Sequence, residues 1–235
     1  MLMNNQSHPN LYARLAGAMY LVTMATALFS EGYVRDSLYV SESAAQTAQN
    51  LLASNQLFRT ALVADLLTFS GVVVLVWALH RLLRPVHHEL AALGAFFRLV
   101  ELGMHFSAVA FGMVALSLLS RGEYTQNFTE DQLHGLVGLA LRAQGAGLSL
   151  GFIPLGLGSA VFAYLLFRSR FVPRPIAAWG IFSSLLLALY SFGVVLSPAT
   201  TDFFYVAMVP MFLYEVGLGL WLLFKGINSG RSSAA

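Results

Sequence analysis

The chain has 235 residues, of which 57% are hydrophobic and only 10% charged, and its mean hydropathy is +0.70. A soluble domain usually carries about a quarter charged residues, so this composition indicates a protein whose surface faces lipid. The net charge of only +2 argues against a nucleic-acid-binding patch, and the absence of cysteine excludes disulfides, thiol nucleophiles, iron–sulfur ligation and cysteine zinc sites.

Six apolar stretches are long enough to cross a hydrocarbon core of ~30 Å as helices. We therefore predict an all-α, polytopic membrane protein, a bundle of six transmembrane helices that forms one membrane domain over residues 1–235. The first stretch also resembles a signal-peptide core, but the thin positive charge before it favours an uncleaved helix. The predicted spans are about 11–30, 57–80, 90–119, 144–167, 176–196 and 203–224.

The loops on the side of the two termini hold most of the basic residues. That side carries Arg14, Arg81, Arg84, Arg168, Arg170, Arg174, Lys225 and Arg231. The opposite side carries Arg35, Arg59, Arg121 and Arg142, together with most of the acidic loop residues. Because basic residues favour the cytoplasm, we expect both termini to be cytoplasmic.

Two of the loops on the opposite side contain helix-capping patterns. Ser43 followed by Gln46 predicts a short helix from Ala44 at the membrane surface, and Thr129 followed by Gln132 predicts the start of another.

A weak internal repeat suggests three pseudo-repeated helical hairpins. On spans two, four and six an aromatic residue stands four positions before a cation, and spans one, three and five share a small-residue pattern. Convergence at the membrane interface explains the same pattern without a repeat. The aromatic–cation pairs are Trp77 with Arg81, Tyr164 with Arg168 and Trp221 with Lys225.

Five ionisable residues fall inside the predicted spans: Asp65, Arg98, Glu101, His105 and Glu215. Such groups are expensive in lipid and usually face the interior of a bundle. Arg98, Glu101 and His105 follow an i, i+3, i+7 spacing, which places them on one stripe of span three. At 1.5 Å per residue, Arg98 and Glu215 both lie about 12 Å from the inner boundary, so we expect them to face each other. By the same rise Asp65 lies near 20 Å, level with Glu101 and His105.

The predicted cluster has three carboxylates and one arginine. This surplus of negative charge predicts that the cluster holds an extra proton, which it could exchange for a cationic ligand or a metal. These five residues are therefore candidates for a ligand or proton site. The alternative is a satisfied polar network that only fixes helix register. Asp65, Glu101 and His105 also form a possible two-carboxylate, one-histidine metal set. Many membrane helices, however, carry one acid and one histidine by chance.

Span four is rich in glycine around Pro154. The pattern lacks the spacing, lysine and hydroxyl residue of a phosphate loop, so it predicts close helix packing with a kink, or else backbone that lines a ligand cavity. The glycines are Gly145, Gly147, Gly151, Gly156 and Gly158.

Several strings resemble a bacterial family known as domain of unknown function 4386. They are residues 57–59 (LFR) with 64–67 (ADLL), 95–101 (AFFRLVE), 164–174 (YLLFRSRFVPR) and Glu215 with 220–226 (LWLLFKG). The order is that of the family and covers nearly the whole chain, although Arg170 stands where the family suggests glycine. The resemblance implies a multi-span bacterial membrane protein whose motifs contain Arg59, Asp65, Arg98, Glu101 and Glu215, and it implies no reaction.

Three functions remain open from the sequence. The first is a small-molecule or proton-linked transporter or receptor that uses the charged cluster. The second is an intramembrane enzyme, with or without a metal, that acts on a lipid or another hydrophobic substrate. The third is a non-catalytic assembly or regulatory partner. Catalytic residues are not identified and no cofactor is predicted. The expected partners are the lipid bilayer, a small-molecule ligand, and a second copy of the chain or another membrane protein, but not nucleic acid.

Overall fold

The structure is a computed structural model that describes residues 9–228 apart from 121 and 124. The described residues are 88% helical and contain no strand. Arg121 and Arg231, two of the basic residues used to predict the orientation, lie outside the described residues.

Eight α-helices follow one another along the described chain, joined by short connections. One of them continues into a π-helical segment, and another is preceded by a 3₁₀ turn. In chain order they are α1 (Pro9–Ala27), the π segment (Leu28–Arg35), α2 (Asp36–Leu38), α3 (Ala44–Ala53), α4 (Asn55–Leu83), α5 (His88–Leu119), α6 (Glu130–Ser169), α7 (Arg174–Leu196), the 3₁₀ turn (Pro198–Phe203) and α8 (Phe204–Phe224).

Six stretches of the described chain are long and apolar enough to cross a membrane. They are residues 9–38, 55–83, 88–119, 130–169, 174–196 and 199–224. The first combines α1, the π segment and α2, and the last combines most of the 3₁₀ turn with α8. The predicted all-α bundle of six spans is thus confirmed, and the chain is a multi-pass membrane protein.

The six membrane helices are arranged as a ring. Each packs against its neighbours in the chain, from α1 and α4 through α5, α6 and α7 to α8, and α8 closes the ring against α1. The seam between α8 and α1 is tight, because a Cβ at Gly17 would lie 2.5 Å from the backbone nitrogen of Leu223. Small residues at such a seam let two backbones approach closely. One face of every membrane helix therefore points to the interior of the ring.

The connections at residues 39–54 and 197–203, together with the described residues of 120–129, lie at the end of the ring opposite Pro9 and Asn228, which we call the distal face. Both predicted caps are present there. The Ser43 hydroxyl accepts a hydrogen bond from the Gln46 backbone at 3.1 Å, and Thr129 and Gln132 form a reciprocal capping box. Helix α3 packs against α6 and fully buries Leu51. The distal end of the bundle is therefore covered by a packed surface helix.

Two predicted boundaries were wrong. The first span does not end at Ser30: it continues to Leu38, and α6 begins at Glu130 rather than at residue 144. In both places charged residues that resemble a loop belong to a helix. Residues 31–38 stay helical because Arg35 is buried and paired, and the start of α6 is fixed by its capping box and by burial of Leu133.

Candidate functional site

The π segment decides where the polar side chains at the end of span one point. Residues five apart in an α-helix differ in direction by about 140°. In a π-helix the i→i+5 hydrogen bond places them one above the other. Ser30 and Arg35 are five apart, and both contact Asp65 on α4. The π form therefore presents two donors to one carboxylate on the neighbouring helix.

Ser30, Glu31, Arg35 and Asp65 form what we call the distal cluster. The Arg35 guanidinium pairs with Glu31 and, through Nη2, with Asp65 Oδ2; Nη1 also lies 3.4 Å from Asp65 Oδ1. The Ser30 hydroxyl donates to Asp65 Oδ1 at 2.5 Å. The Arg35 and Asp65 side chains are 6% and 5% exposed, whereas that of Glu31 is 51% exposed. One buried guanidinium is thus shared between a buried carboxylate and an open one.

A cavity of about 410 Å³ adjoins the distal cluster between the end of span one and α6. This volume lies within the usual range for small-molecule sites. Its lining consists of Glu31, Arg35, Asp36, Tyr39, Ser41, Leu141, Gln144, Gly145 and Leu148.

Gln144 is the most deeply buried polar group of this lining, at 2% exposed. The Tyr39 hydroxyl donates to its Oε1 at 3.5 Å, while its Nε2 has no hydrogen-bond partner. Burial raises the pKa of Tyr39 to about 12, so this hydroxyl keeps its proton at neutral pH. The amide lies over Gly112 of α5, where a Cβ would stand 3.0 Å from Oε1. The cavity wall therefore contains a buried amide whose nitrogen, Nε2, has no hydrogen-bond partner.

Arg98, Glu101, His105 and Ser159 form the central cluster, deeper in the ring. Arg98 Nε lies 3.0 Å from Glu101 Oε2, and His105 Nδ1 lies 3.5 Å from Glu101 Oε1. Arg98 Nη1 donates to the Ser159 hydroxyl of α6 at 3.3 Å. All four residues are at most 4% exposed. The three residues of the predicted stripe on span three pair mainly with one another.

The glycines of α6 make room for this stripe. A Cβ at Gly151 would lie 2.2 Å from His105 Nε2, and a Cβ at Gly158 would lie 2.9 Å from Arg98 Cγ. Gly145, in contrast, lines the distal cavity, where a Cβ would meet nothing within 4 Å. Gly151 and Gly158 thus serve close packing against α5, whereas Gly145 borders the distal cavity.

His105 connects the central cluster to the cavity wall. Its Nε2 lies 3.1 Å from the carbonyl oxygen of Leu148, a cavity-lining residue. Its ring also interacts electrostatically with Asp65 of the distal cluster. His105 thus stands between the central cluster and the wall of the distal cavity.

Glu215, which we expected to face Arg98, forms no ion pair with it. Helix α8 packs against α1 and α7, and among the described residues Glu215 has no ion-pair partner within 4 Å. It is partly exposed and interacts electrostatically with Arg98 and with the buried hydroxyls of Tyr20 and Tyr214. Arg98 instead pairs within its own helix, because the i, i+3 spacing brings Glu101 within 3.0 Å of its Nε.

The possible metal set is not assembled in the part of the chain that the structure describes. No group of three or more histidine, aspartate or glutamate side chains there could hold a metal ion. Asp65 turns toward Arg35, while Glu101 and His105 turn toward each other.

The charge count changes once Arg35 is included. Asp65, Glu101 and Glu215 now stand against two guanidinium groups, Arg35 and Arg98, so the surplus of these carboxylates falls from two to one. Glu31 shares Arg35 but is half-exposed.

Sequence reasoning missed Arg35, Ser30 and Gln144. Arg35 lies three residues after Gly32, at the end of an apolar run. The pair Glu31-Gly32, a charged residue followed by glycine, is typical of a loop. The signal that was available is the i, i+4 spacing of Glu31 and Arg35, which favours continuation of a helix. Gln144 gives no local signal, because its importance depends on the cavity beside it.

The family model described as "Domain of unknown function (DUF4386)" matches residues 15–226. This range contains every member of both clusters and the whole lining of the cavity. Comparisons with curated proteins and with solved structures returned no match. Since the match extends over nearly all of the chain, the protein belongs to the DUF4386 family.

Proposed function

We propose that the protein is a small-molecule or proton-linked transporter or receptor that uses its intramembrane charged clusters. In this proposal it lies in a bacterial inner membrane with both termini in the cytoplasm, so that the distal cavity opens to the outside. The ligand enters that cavity and acts on the charged groups beneath it.

The observation that carries the proposal is the contact between the cavity and a buried ion pair. Arg35 lines the cavity and is at the same time the partner of Asp65. A charged ligand in the cavity therefore changes the electrostatic environment of a pair that joins spans one and two. Coupling of this kind is what a receptor or a transporter requires, because the ligand must interact differently with two states of the bundle.

A group that can carry a proton lies directly behind the same wall. The Leu148 carbonyl contacts His105, and His105 faces Glu101. Histidine can accept a proton at one ring nitrogen and release one from the other. The carboxylate in surplus among Asp65, Glu101 and Glu215 is stabilised by a proton or by a bound cation, so the two can replace each other.

The absence of cysteine makes the cavity directly testable. A Cys introduced by Gly145→Cys meets no neighbouring atom and lines the cavity. In membrane vesicles we expect it to react with a membrane-impermeant methanethiosulfonate reagent added on the distal side. The matched control is Gly103→Cys, since Gly103 on α5 also has open space around it but is exposed on the outside of the bundle. We expect the control to stay unreactive, because a thiol in lipid does not form the thiolate.

Ligand binding is measured on the same Gly145→Cys protein as protection from labelling. Three small probes of different charge are used: ethanolamine, glycine and glycolate. Slower labelling with any of them, and loss of this protection with Asp65→Asn, supports the proposal. If Gly145→Cys is as unreactive as Gly103→Cys, or if none of the three probes slows labelling, the proposal is wrong.

A further inference from the structure

The charged groups of the distal cavity are mostly acidic. Glu31 and Asp36 line it together with a single cation, Arg35. That guanidinium is already engaged by Glu31 and by Asp65 behind it, which leaves only its Nε without a partner. The lining thus carries one surplus negative charge, and two if Asp65 is included. An electrostatic field of this sign favours a cationic occupant.

Gln144 adds a requirement that is independent of charge. It is 2% exposed, it lines the cavity, and its Nε2 makes no hydrogen bond. A buried donor without a partner costs free energy, so such a group in a cavity is suited to an acceptor on the occupant. The Tyr39 hydroxyl donates to Oε1, so the nitrogen is the end of the amide that is left without a partner.

We propose that the occupant of the distal cavity is a small organic cation that also carries a hydrogen-bond acceptor. Its ammonium group binds between Glu31 and Asp36, and its hydroxyl or carbonyl oxygen accepts from Gln144 Nε2. This inference rests on the proposed function and specifies the ligand class of the same site. An organic cation fits better than a metal ion, because no group of three metal-ligating side chains exists among the described residues and the cavity of about 410 Å³ is far larger than one ion.

The sign of the field is measured with two reagents on Gly145→Cys protein. One is the cationic trimethylammonioethyl methanethiosulfonate and the other is the anionic sulfonatoethyl methanethiosulfonate. We expect the cationic reagent to react about tenfold faster after correction for the reactivity of each with a free thiol. Glu31→Gln should reduce this ratio severalfold. Asp202→Asn is the matched control, because Asp202 is an exposed acid of the distal face outside the cavity lining, and it should leave the ratio unchanged.

The acceptor requirement is tested by protection of the same cysteine. Ethanolamine carries an ammonium group and a hydroxyl, ethylamine lacks the hydroxyl, and glycolate has the hydroxyl but the opposite charge. We expect ethanolamine to protect about tenfold better than ethylamine, and glycolate not to protect. Gln144→Leu should abolish the preference for ethanolamine over ethylamine while the ratio of cationic to anionic labelling persists.

The outcomes separate this inference from the proposed function. If glycolate protects, or if both reagents label at equal rates, the cavity still binds or admits small molecules but the cationic ligand class is wrong. If ethanolamine and ethylamine protect equally, the role of Gln144 is wrong. If Gly145→Cys does not react at all, both the ligand class and the proposed function fail.

Discussion

The distal and central clusters contain the same kinds of group but are held together differently. In the distal cluster Arg35 of span one pairs with Asp65 of span two, so the ion pair exists only when these two helices are packed. In the central cluster Arg98 and Glu101 are three residues apart on α5 and pair within one helix. The link from Arg98 to another helix is a hydrogen bond to Ser159.

This difference determines what each cluster contributes to the bundle. In a membrane the relevant unfolded state still contains inserted helices, so a pair within one helix survives separation of the helices. The Arg98–Glu101 pair therefore adds little to helix association, whereas the Arg35–Asp65 pair adds its full strength. The distal pair also borders a cavity, while the central pair is enclosed. Inter-helix pairing next to an opening is the arrangement through which a ligand can alter helix packing.

The largest expected effect is that of removing Arg35. Arg35→Leu leaves Asp65 buried without a cation and should cost about 3–5 kcal/mol of the free energy of unfolding in detergent–lipid micelles. The double variant Arg35→Leu/Asp65→Leu should recover most of this loss. Arg59→Leu is the control, since Arg59 is exposed near the distal end of α4, and it should cost well under about 1 kcal/mol.

The same double-variant cycle on Arg98 and Glu101 tests the comparison itself. We expect a coupling free energy of about 1 kcal/mol there, smaller than that of Arg35 with Asp65. Equal coupling free energies in the two clusters would contradict the distinction between pairing within a helix and pairing between helices.

The next effect concerns the enclosure of the central cluster. Gly151→Ala places a methyl group against the His105 ring and should cost about 2–3 kcal/mol, because the core must shift to accept it. Gly103→Ala is the matched control and should instead stabilise α5 by about 0.5–1 kcal/mol. Thermal unfolding of the two variants in the same detergent measures both. A Gly151→Ala protein as stable as the Gly103→Ala protein would show that the central cluster is loosely enclosed.

A smaller loss is expected when the distal cluster keeps both charges but loses its neutral donor. Ser30→Ala removes the hydrogen bond to Asp65 and should cost about 1.5 kcal/mol. Ser70→Ala on α4 is the control, because the Ser70 hydroxyl is exposed and bonds only to the backbone of its own helix. Its unfolding free energy should change by less than about 0.5 kcal/mol. If the two serine variants are equally stable, Ser30 does not support Asp65.

The smallest effect has the opposite sign. Gln144→Leu replaces a buried amide that has an unpaired donor and should stabilise the unliganded protein by about 1 kcal/mol. The same variant should lose the preference for ethanolamine over ethylamine. A group placed for binding often lowers the stability of the unliganded protein. A loss of stability of this size would instead mean that the contact with Tyr39 outweighs the unpaired donor.

Part of the central cluster could be predicted because it depends on local spacing. The positions of Arg98, Glu101 and His105 on one helix follow from the helical repeat alone, and the repeat does not depend on neighbouring helices. The ion pair between Arg98 and Glu101 was nevertheless not predicted, since Glu215 was expected to face Arg98. Equal depth of Arg98 and Glu215 in the membrane is necessary for contact, but it says nothing about which helices are adjacent in the ring.

The sequence by itself determined the number of membrane spans, their helical nature and the caps at Ser43 and Thr129, because length, apolar composition and capping residues act locally. Only the tertiary structure decided that Arg35 belongs to a span rather than to a loop, and that Gln144 lines a cavity. Burial of Arg35 is tolerable only because Asp65 on another helix compensates its charge. Such compensation depends on the packing of helices, which the order of residues in a single span does not reveal.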